Sequence, residues 1–297
     1  MRVNPVRGIA CMLAGSASFA IMDALVKWVA PRIPLTEIIF FRSLFAFLPI
    51  LWLLRREGGL AALRTRRPGD HAVRSLFGFA SLACFVYAFG RMPLANVVAI
   101  GFSAPIFITA LSVPLIGESV GIRRWSAVLV GFLGVLVMVR PDGGLLAGEG
   151  LVALAGTLLY SLAMIAIRRL GETEGTGAIA FYNTLVCTLI AMAALPVTWS
   201  TPGTADALWL VALGIVGGFG QIFVTAAFRN APAAVVAPFD YASMLYATAI
   251  GYAVWGDLPD RTLLLGAVIV VASGLYILHR EALATTRRRK AAEAAAE

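Results

Sequence analysis

Of the 297 residues, 60% are hydrophobic and only 13% are charged. A soluble domain carries about a quarter charged residues, so this composition excludes an ordinary water-soluble fold and points to the bilayer as solvent. The net charge of +8 would suit nucleic acid, but the cations fall in short runs between apolar stretches, where they act as topology signals.

Crossing ~30 Å of hydrocarbon takes about 20 mostly apolar residues. Ten such stretches are predicted, over 8–29, 36–54, 73–90, 95–116, 123–139, 150–168, 176–197, 206–228, 232–254 and 262–279. Arg2 and Arg7 precede the first, which runs past Asp23 to Val29. That is longer than the ~7–15-residue core of a cleaved signal, so it is read as a retained span. Arg74 trims the start of the third. Cys11, Cys84 and Cys187 lie within spans and read as small packing residues.

Ten crossings place Arg2, Arg7, Arg55, Arg56, Arg64, Arg66, Arg67, Arg74, Arg123, Arg124, Arg168, Arg169, Arg229, Arg280, Arg287, Arg288, Arg289 and Lys290 on one face. The other face receives Lys27, Arg32, Arg91, Arg140 and Arg261, and Arg42 lies inside a span. The positive-inside rule then puts both termini in the cytoplasm of a bacterial inner membrane protein.

The chain also repeats itself. Arg91-Met-Pro-Leu-Ala-Asn-Val-Val-Ala99 aligns without a gap with Arg229-Asn-Ala-Pro-Ala-Ala-Val-Val-Ala237. Gly117-Glu118 then faces Gly256-Asp257 after a one-residue adjustment, and Ser126 and Gly134 face Gly266 and Gly274 after one more. Upstream, Gly8, Met22, Ala24 and Lys27 pair with Gly150, Met164, Ala166 and Arg169. Two five-helix halves follow, 1–142 and 143–282, with a basic cytoplasmic tail over 283–297. Because five is odd, the second half enters from the opposite face. The expected fold is an all-α membrane protein of ten transmembrane helices in two inverted-topology repeats. Secondary transporters use that architecture, with solute held where the halves meet.

Each half resembles a unit of the EamA family of the drug/metabolite transporter superfamily. The resemblance rests on a first helix ending in Lys27 and a second carrying Phe41-Arg42. A short connection, Pro93 to Val98, leads to a helix with Pro105, then Gly117-Glu118 and a last helix with spaced small residues. The second half keeps Ala231-Pro232-Ala233-Ala234-Val235-Val236, Gly256-Asp257 and Gly266 to Gly274, but has Asn183 where the first has Arg42. The resemblance implies a central cavity lined by helices 1, 3, 4, 6, 8 and 9. It is nearest to YddG-type amino-acid exporters, and it implies export of neutral or aromatic amino acids and related amphiphilic metabolites by alternating access. Uptake of S-adenosylmethionine or another nucleoside-like metabolite is the alternative, since Met22 to Lys27 and Glu37 to Arg42 also read like that group.

Ionisable residues inside spans carry an insertion penalty of about 2.5–3.5 kcal/mol each, so each needs a reason. Asp23 and Lys27 stand four apart on one helical face and are expected to pair, or to act as a charged gate or substrate contact. Arg42 and Glu37 open the second helix, where Arg42 holds helices together or binds substrate. Asp240 binds a substrate amine, carries a proton, or caps a helix broken near Pro238. Pro105 and Pro238 are candidate hinges, because proline removes an amide donor and clashes with the preceding turn. Lys27 joins them as a gating candidate.

Phe19, Phe79, Tyr87, Asn96, Phe102, Tyr160, Met164, Gln221 and Tyr241 complete the candidate substrate-binding set with Asp23 and Asp240: apolar walls with a few oriented polar groups. Gly214-x-x-x-Gly218 permits close helix approach. There is no Gly-x-x-x-x-Gly-Lys-Ser/Thr loop for ATP, and His71 and His279 stand near span ends. An enzyme is therefore not expected, including a membrane lipid enzyme, and no cofactor or metal is. The expected partners are a small-molecule substrate and the lipid bilayer, with possible proton coupling and no nucleic acid.

Overall fold

The computed structural model of the chain describes residues 5–56, 58–116, 122–139, 148–170, 173–230 and 237–294, and every regular element among them is helical. In chain order these are α1 (Pro5–Val29), α2 (Leu35–Arg56), a 3₁₀ turn (Gly59–Leu63), α3 (Pro68–Phe89), α4 (Leu94–Gly101) and α5 (Ala104–Ile116). Then come α6 (Ile122–Val139), α7 (Glu149–Leu170), α8 (Thr176–Thr198), α9 (Thr204–Asn230), a second 3₁₀ turn (Ala237–Tyr241), α10 (Ala242–Trp255) and α11 (Arg261–Ala294). Gly117-Glu118, Arg140 and the repeat segment Ala231 to Val236 lie outside the described residues.

Local chemistry explains the boundaries. Proline opens α1 and α3, where its missing amide would be unpaired anyway. Lys27 occupies the last turn of α1 and Glu37 the first turn of α2, each complementing the helix dipole. Gly256 takes the left-handed conformation (φ 73°) that ends α10.

Among the described residues seven helices are long and apolar enough to cross a membrane: Val6–Val29, Leu35–Arg56, Pro68–Phe89, Leu94–Leu111, Glu149–Ile167, Gly177–Thr198 and Thr204–Val224. Trp125–Val137 and Arg261–Tyr276 are shorter apolar helices. The protein is thus an all-α, multi-pass membrane protein.

The predicted fourth span is broken, and not at its proline. Helix α4 stops at Gly101, Phe102 and Ser103 form a turn, and Ser103 Oγ donates to the Ile100 carbonyl at 2.6 Å. Pro105 falls in the first turn of α5, where its ring is tolerated, so the interruption of the span lies upstream, at Phe102-Ser103. The predicted ninth span is irregular too, with Pro238 inside the 3₁₀ turn before α10. Helix α11 continues to Ala294, because nothing after Gly274 breaks a helix: Ala, Leu, Arg, Lys and Glu, all good helix formers, dominate.

Packing follows the repeat. Helix α1 packs on α9, and its repeat counterpart α7 packs on α3, the counterpart of α9. Likewise α2 packs on α9 and α8 on α3, while α10 reaches α1 and α4–α5 reach α7. The pairs α2–α8 and α6–α11 each join equivalent helices, and the α4–α10 contact joins equivalent spans, the fourth of each half. Every one of these contacts survives exchange of the two halves. Small residues permit the closest approaches. A Cβ at Gly214 would sit 2.6 Å from Phe45 Cβ, and one at Gly218 would strike the Pro49 ring, so both face α2. Gly217 faces α1, where a Cβ would lie 2.5 Å from Met22 Sδ. The Gly214–Gly218 pair therefore brings α9 against α2, as its spacing implies.

Candidate functional site

The face of α1 that turns inward carries Ser16, Phe19, Asp23 and Lys27, spaced three or four apart. Ile21, Leu25 and Trp28 occupy the opposite face and line an apolar cleft of about 350 Å³ with Trp209, Ile250 and Trp255. That cleft holds no charged group; the polar chemistry lies on the other side of α1.

On the inward face, Ser16 Oγ donates to Asp240 Oδ1 at 2.7 Å, tying α1 to the 3₁₀ turn of the second half. Asp240 interacts electrostatically with Tyr160 on α7 and with Tyr241 beside it. The Tyr241 ring meets Phe102 edge-on, with centroids 5.0 Å apart, so the irregular points of the two broken spans touch each other. Tyr160 also interacts with Arg74 of α3. Arg74 donates to Asn183 Oδ1 on α8. One turn further along α8, Cys187 lies within electrostatic reach of both Arg74 and Arg42. Arg42 in turn interacts with Asp23 and donates through Nε to Met22 Sδ at 3.3 Å.

The result is a continuous charged seam. Asp23, Arg42, Arg74, Tyr160 and Asp240 reach it from α1, α2, α3, α7 and the turn before α10. Four ionisable groups within spans imply a penalty on the order of 10 kcal/mol on insertion scales. Yet Tyr160 is 42% exposed, and Asp23, Arg42, Arg74 and Asp240 keep accessible surface. These charged groups thus stand together on helices packed against one another and keep part of their surface open.

The ends of the seam are fastened. Lys27 Nζ meets Asp257 Oδ2 at 2.5 Å and lies 4.6 Å from the centre of the Trp255 ring. The expected Asp23–Lys27 pair is therefore corrected: Lys27 is held across the bundle by the turn after α10, and Asp23 has Arg42 as its charged neighbour. The i, i+4 spacing only brings two side chains near each other, and a tertiary partner with better geometry wins. The repeat counterpart of Lys27, Arg169 at the end of α7, donates to the Leu115 carbonyl at the end of α5. Each half thus ends its first helix with a cation that grips the fourth span of the other half. Near Arg169 the basic loop is folded down: Arg67 donates to the Arg169 carbonyl at 2.8 Å, Thr65 to Glu174 at 2.8 Å, and Tyr182 to the Leu63 carbonyl at 2.6 Å.

Other sequence candidates lie elsewhere or carry less. Tyr87 stacks under the Arg91 guanidinium at 3.8 Å, near the end of α3. Phe19, Phe79 and Phe102 pack against the core. Asn96 and Met164 are half-buried and Gln221 is exposed. Pro238 lies in the 3₁₀ turn before α10, and Pro105 in the first turn of α5, just after the break at Phe102-Ser103. Arg74, Ser16 and Asn183 were absent from the sequence-derived set. The signal for Arg74 was available, since a cation within an apolar run is itself a functional flag. Among the described residues no group of three or more His, Cys, Asp or Glu could hold a metal ion.

The sequence model of the EamA-like transporter family matches twice, over residues 6–140 and 148–278. The chain is 32% identical over 272 residues to the pseudopaline exporter CntI of Pseudomonas aeruginosa (strain UCBPP-PA14), covering 90% of this chain and 94% of that one. It is 26% identical to the S-adenosylmethionine uptake transporter of Rickettsia prowazekii (93% and 94% covered) and 28% identical to the riboflavin transporter of Rhizobium johnstonii (95% and 95% covered). A crystal structure 19% identical in sequence superposes with a TM-score of 0.61 over 90% of this chain and 96% of that one, which establishes a shared fold. Two matches of one family model, together spanning most of the chain, make this chain a member of the EamA-like transporter family.

Proposed function

We propose that the protein is a secondary transporter that carries small zwitterionic metabolites, neutral and aromatic amino acids foremost, out of the cytoplasm across the bacterial inner membrane. Ten crossings, in halves over 1–142 and 143–282, place both termini in the cytoplasm, and the seam alternates its access between the two faces. The observation that carries this reading is the presence of both signs of charge on one path: Asp23 and Asp240 for an ammonium, Arg42 and Arg74 for a carboxylate, with Phe102, Tyr160 and Tyr241 beside them. A solute bearing both charges satisfies such a path, whereas a purely apolar one leaves four charges unsolvated. The Lys27–Asp257 and Arg169–Leu115 contacts serve as the two gates.

Uptake of a nucleoside-like metabolite is the second reading. It is favoured by the 26% identity to S-adenosylmethionine uptake carriers, since an amino-acid group with an added cation would also engage the acids of the seam. Reconstituted protein is expected to release preloaded labelled phenylalanine or leucine from liposomes at least about 10-fold faster than empty vesicles. Flux of S-adenosylmethionine without amino-acid flux would favour the second reading, and no flux with a broad panel of amino acids would defeat the first.

A further inference from the structure

The two guanidiniums of the seam are unequally matched. Arg42 has Asp23 as an electrostatic neighbour, and its Nε uses only the weak acceptor Met22 Sδ. Arg74 has Asn183 as a hydrogen-bond partner, while its buried Nε finds none. Among the described residues no carboxylate stands within ion-pair distance of Arg74. Repeat symmetry sharpens the point. Asn183 occupies the place in the second half that Arg42 holds in the first, so an amide oxygen stands where a second arginine would repel Arg74. Cys187, one turn along, lies within reach of both guanidiniums. The chain has thus placed two cations on one side of the seam, given them one nearby acid, and oriented the second with a neutral acceptor.

An uncompensated guanidinium among packed helices is unfavourable for folding, and its planar fork matches a carboxylate in two parallel hydrogen bonds. We propose that Arg74, oriented by Asn183 and supported by Arg42 across Cys187, is the carboxylate anchor of the transport site. This rests on the zwitterion reading but narrows it: the free carboxylate of the solute is the required group. Esters, amides and simple amines are rejected, while carboxylates lacking an amine still bind.

The test is ligand-induced thermal stabilisation of the full chain in detergent, with 3-phenylpropionate, its methyl ester, phenethylamine and phenylalanine. In the wild type, 3-phenylpropionate and phenylalanine stabilise the protein, and the ester and the amine do not. Arg74→Gln weakens 3-phenylpropionate by about 30-fold or more, the range for truncating one partner of a buried charge pair, and Arg74→Lys restores part of it. Without ligand, Arg74→Gln melts at or above the wild-type temperature, because the unmatched charge is gone. A mere brace would behave differently: Arg74→Gln would melt lower and bind unchanged. Equal stabilisation by acid and ester, stabilisation by neither, or wild-type binding in Arg74→Gln overturns the anchor. The two ideas fail separately. If 3-phenylpropionate binds but no amino acid moves in liposomes, the zwitterion reading falls and the anchor stands. If phenylalanine moves but its ester does not, and Arg74→Gln moves phenylalanine like wild type, the anchor falls and the reading stands.

Discussion

Asp240→Asn is expected to lower amino-acid flux by about 30-fold or more while leaving the helical content and melting temperature close to wild type. The Ser16 hydroxyl donates to Asp240 Oδ1 at 2.7 Å, and an asparagine can offer its carbonyl oxygen to the same donor, so the tie between α1 and the broken ninth span survives. What disappears is the charge. Removing one member of a charge contact that the bound solute would bury typically costs about 2–5 kcal/mol, and in a site that binds an ammonium this falls directly on affinity. The same variant separates two modes of coupling. If Asp240 also carries a proton, wild-type flux follows an imposed pH gradient and the variant ignores it. A residual flux that still follows the gradient would assign the proton to another group, with Asp23 the first to examine. Flux in Asp240→Asn equal to wild type would remove Asp240 from the pathway.

The second large effect concerns the Lys27–Asp257 clasp. Exposed ion pairs contribute only ~0.2–1 kcal/mol, but this pair is partly shielded, with side-chain exposures of 13% and 31%. The Trp255 ring beneath Lys27 adds a cation–π term of about 0.5–2 kcal/mol. A total near 1.4 kcal/mol corresponds to a tenfold shift between closed and open states. Asp257→Asn and Lys27→Met are each expected to raise the labelling rate of a cysteine placed in the seam, from the Lys27 face, by about 10-fold. The exchanged pair, Lys27→Asp with Asp257→Lys, should bring the rate back toward wild type. No recovery in the exchanged pair would mean that the contact does not close the path.

Much of the architecture was legible because lipid imposes a simple rule: backbone polar groups must be satisfied within the segment. Apolar stretches over 36–54 or 176–197 therefore had to be helices, and α2 and α8 sit there. The small-residue pair Gly214 and Gly218 announced a close helix approach, and only the structure shows that the partner is α2. Contacts between distant segments were harder. Lys27 and Asp257 were each noted in the repeat alignment, but matching equivalent positions does not reveal that they touch 230 residues apart. Arg74 was read as a blemish at the start of a span, although α3 begins six residues earlier at Pro68 and carries it inward to Asn183. The break in the fourth span was expected at Pro105 and lies at Phe102-Ser103, since proline in a first turn starts a helix as readily as it interrupts one. Pro49 drew no attention and proves to be the surface against which Gly218 packs.

The central claim is that two related bundles lie in the membrane in opposite orientations, with the solute path along the seam between them. The most direct measurement replaces Cys11, Cys84 and Cys187, introduces single cysteines at Arg91 and Arg229, and labels each in intact cells with a membrane-impermeant maleimide. The account predicts that position 91 reacts from outside, and that position 229 reacts only once the membrane is opened. Reaction of both from the same side would contradict the inverted repeat, and the transport path built on it would fall.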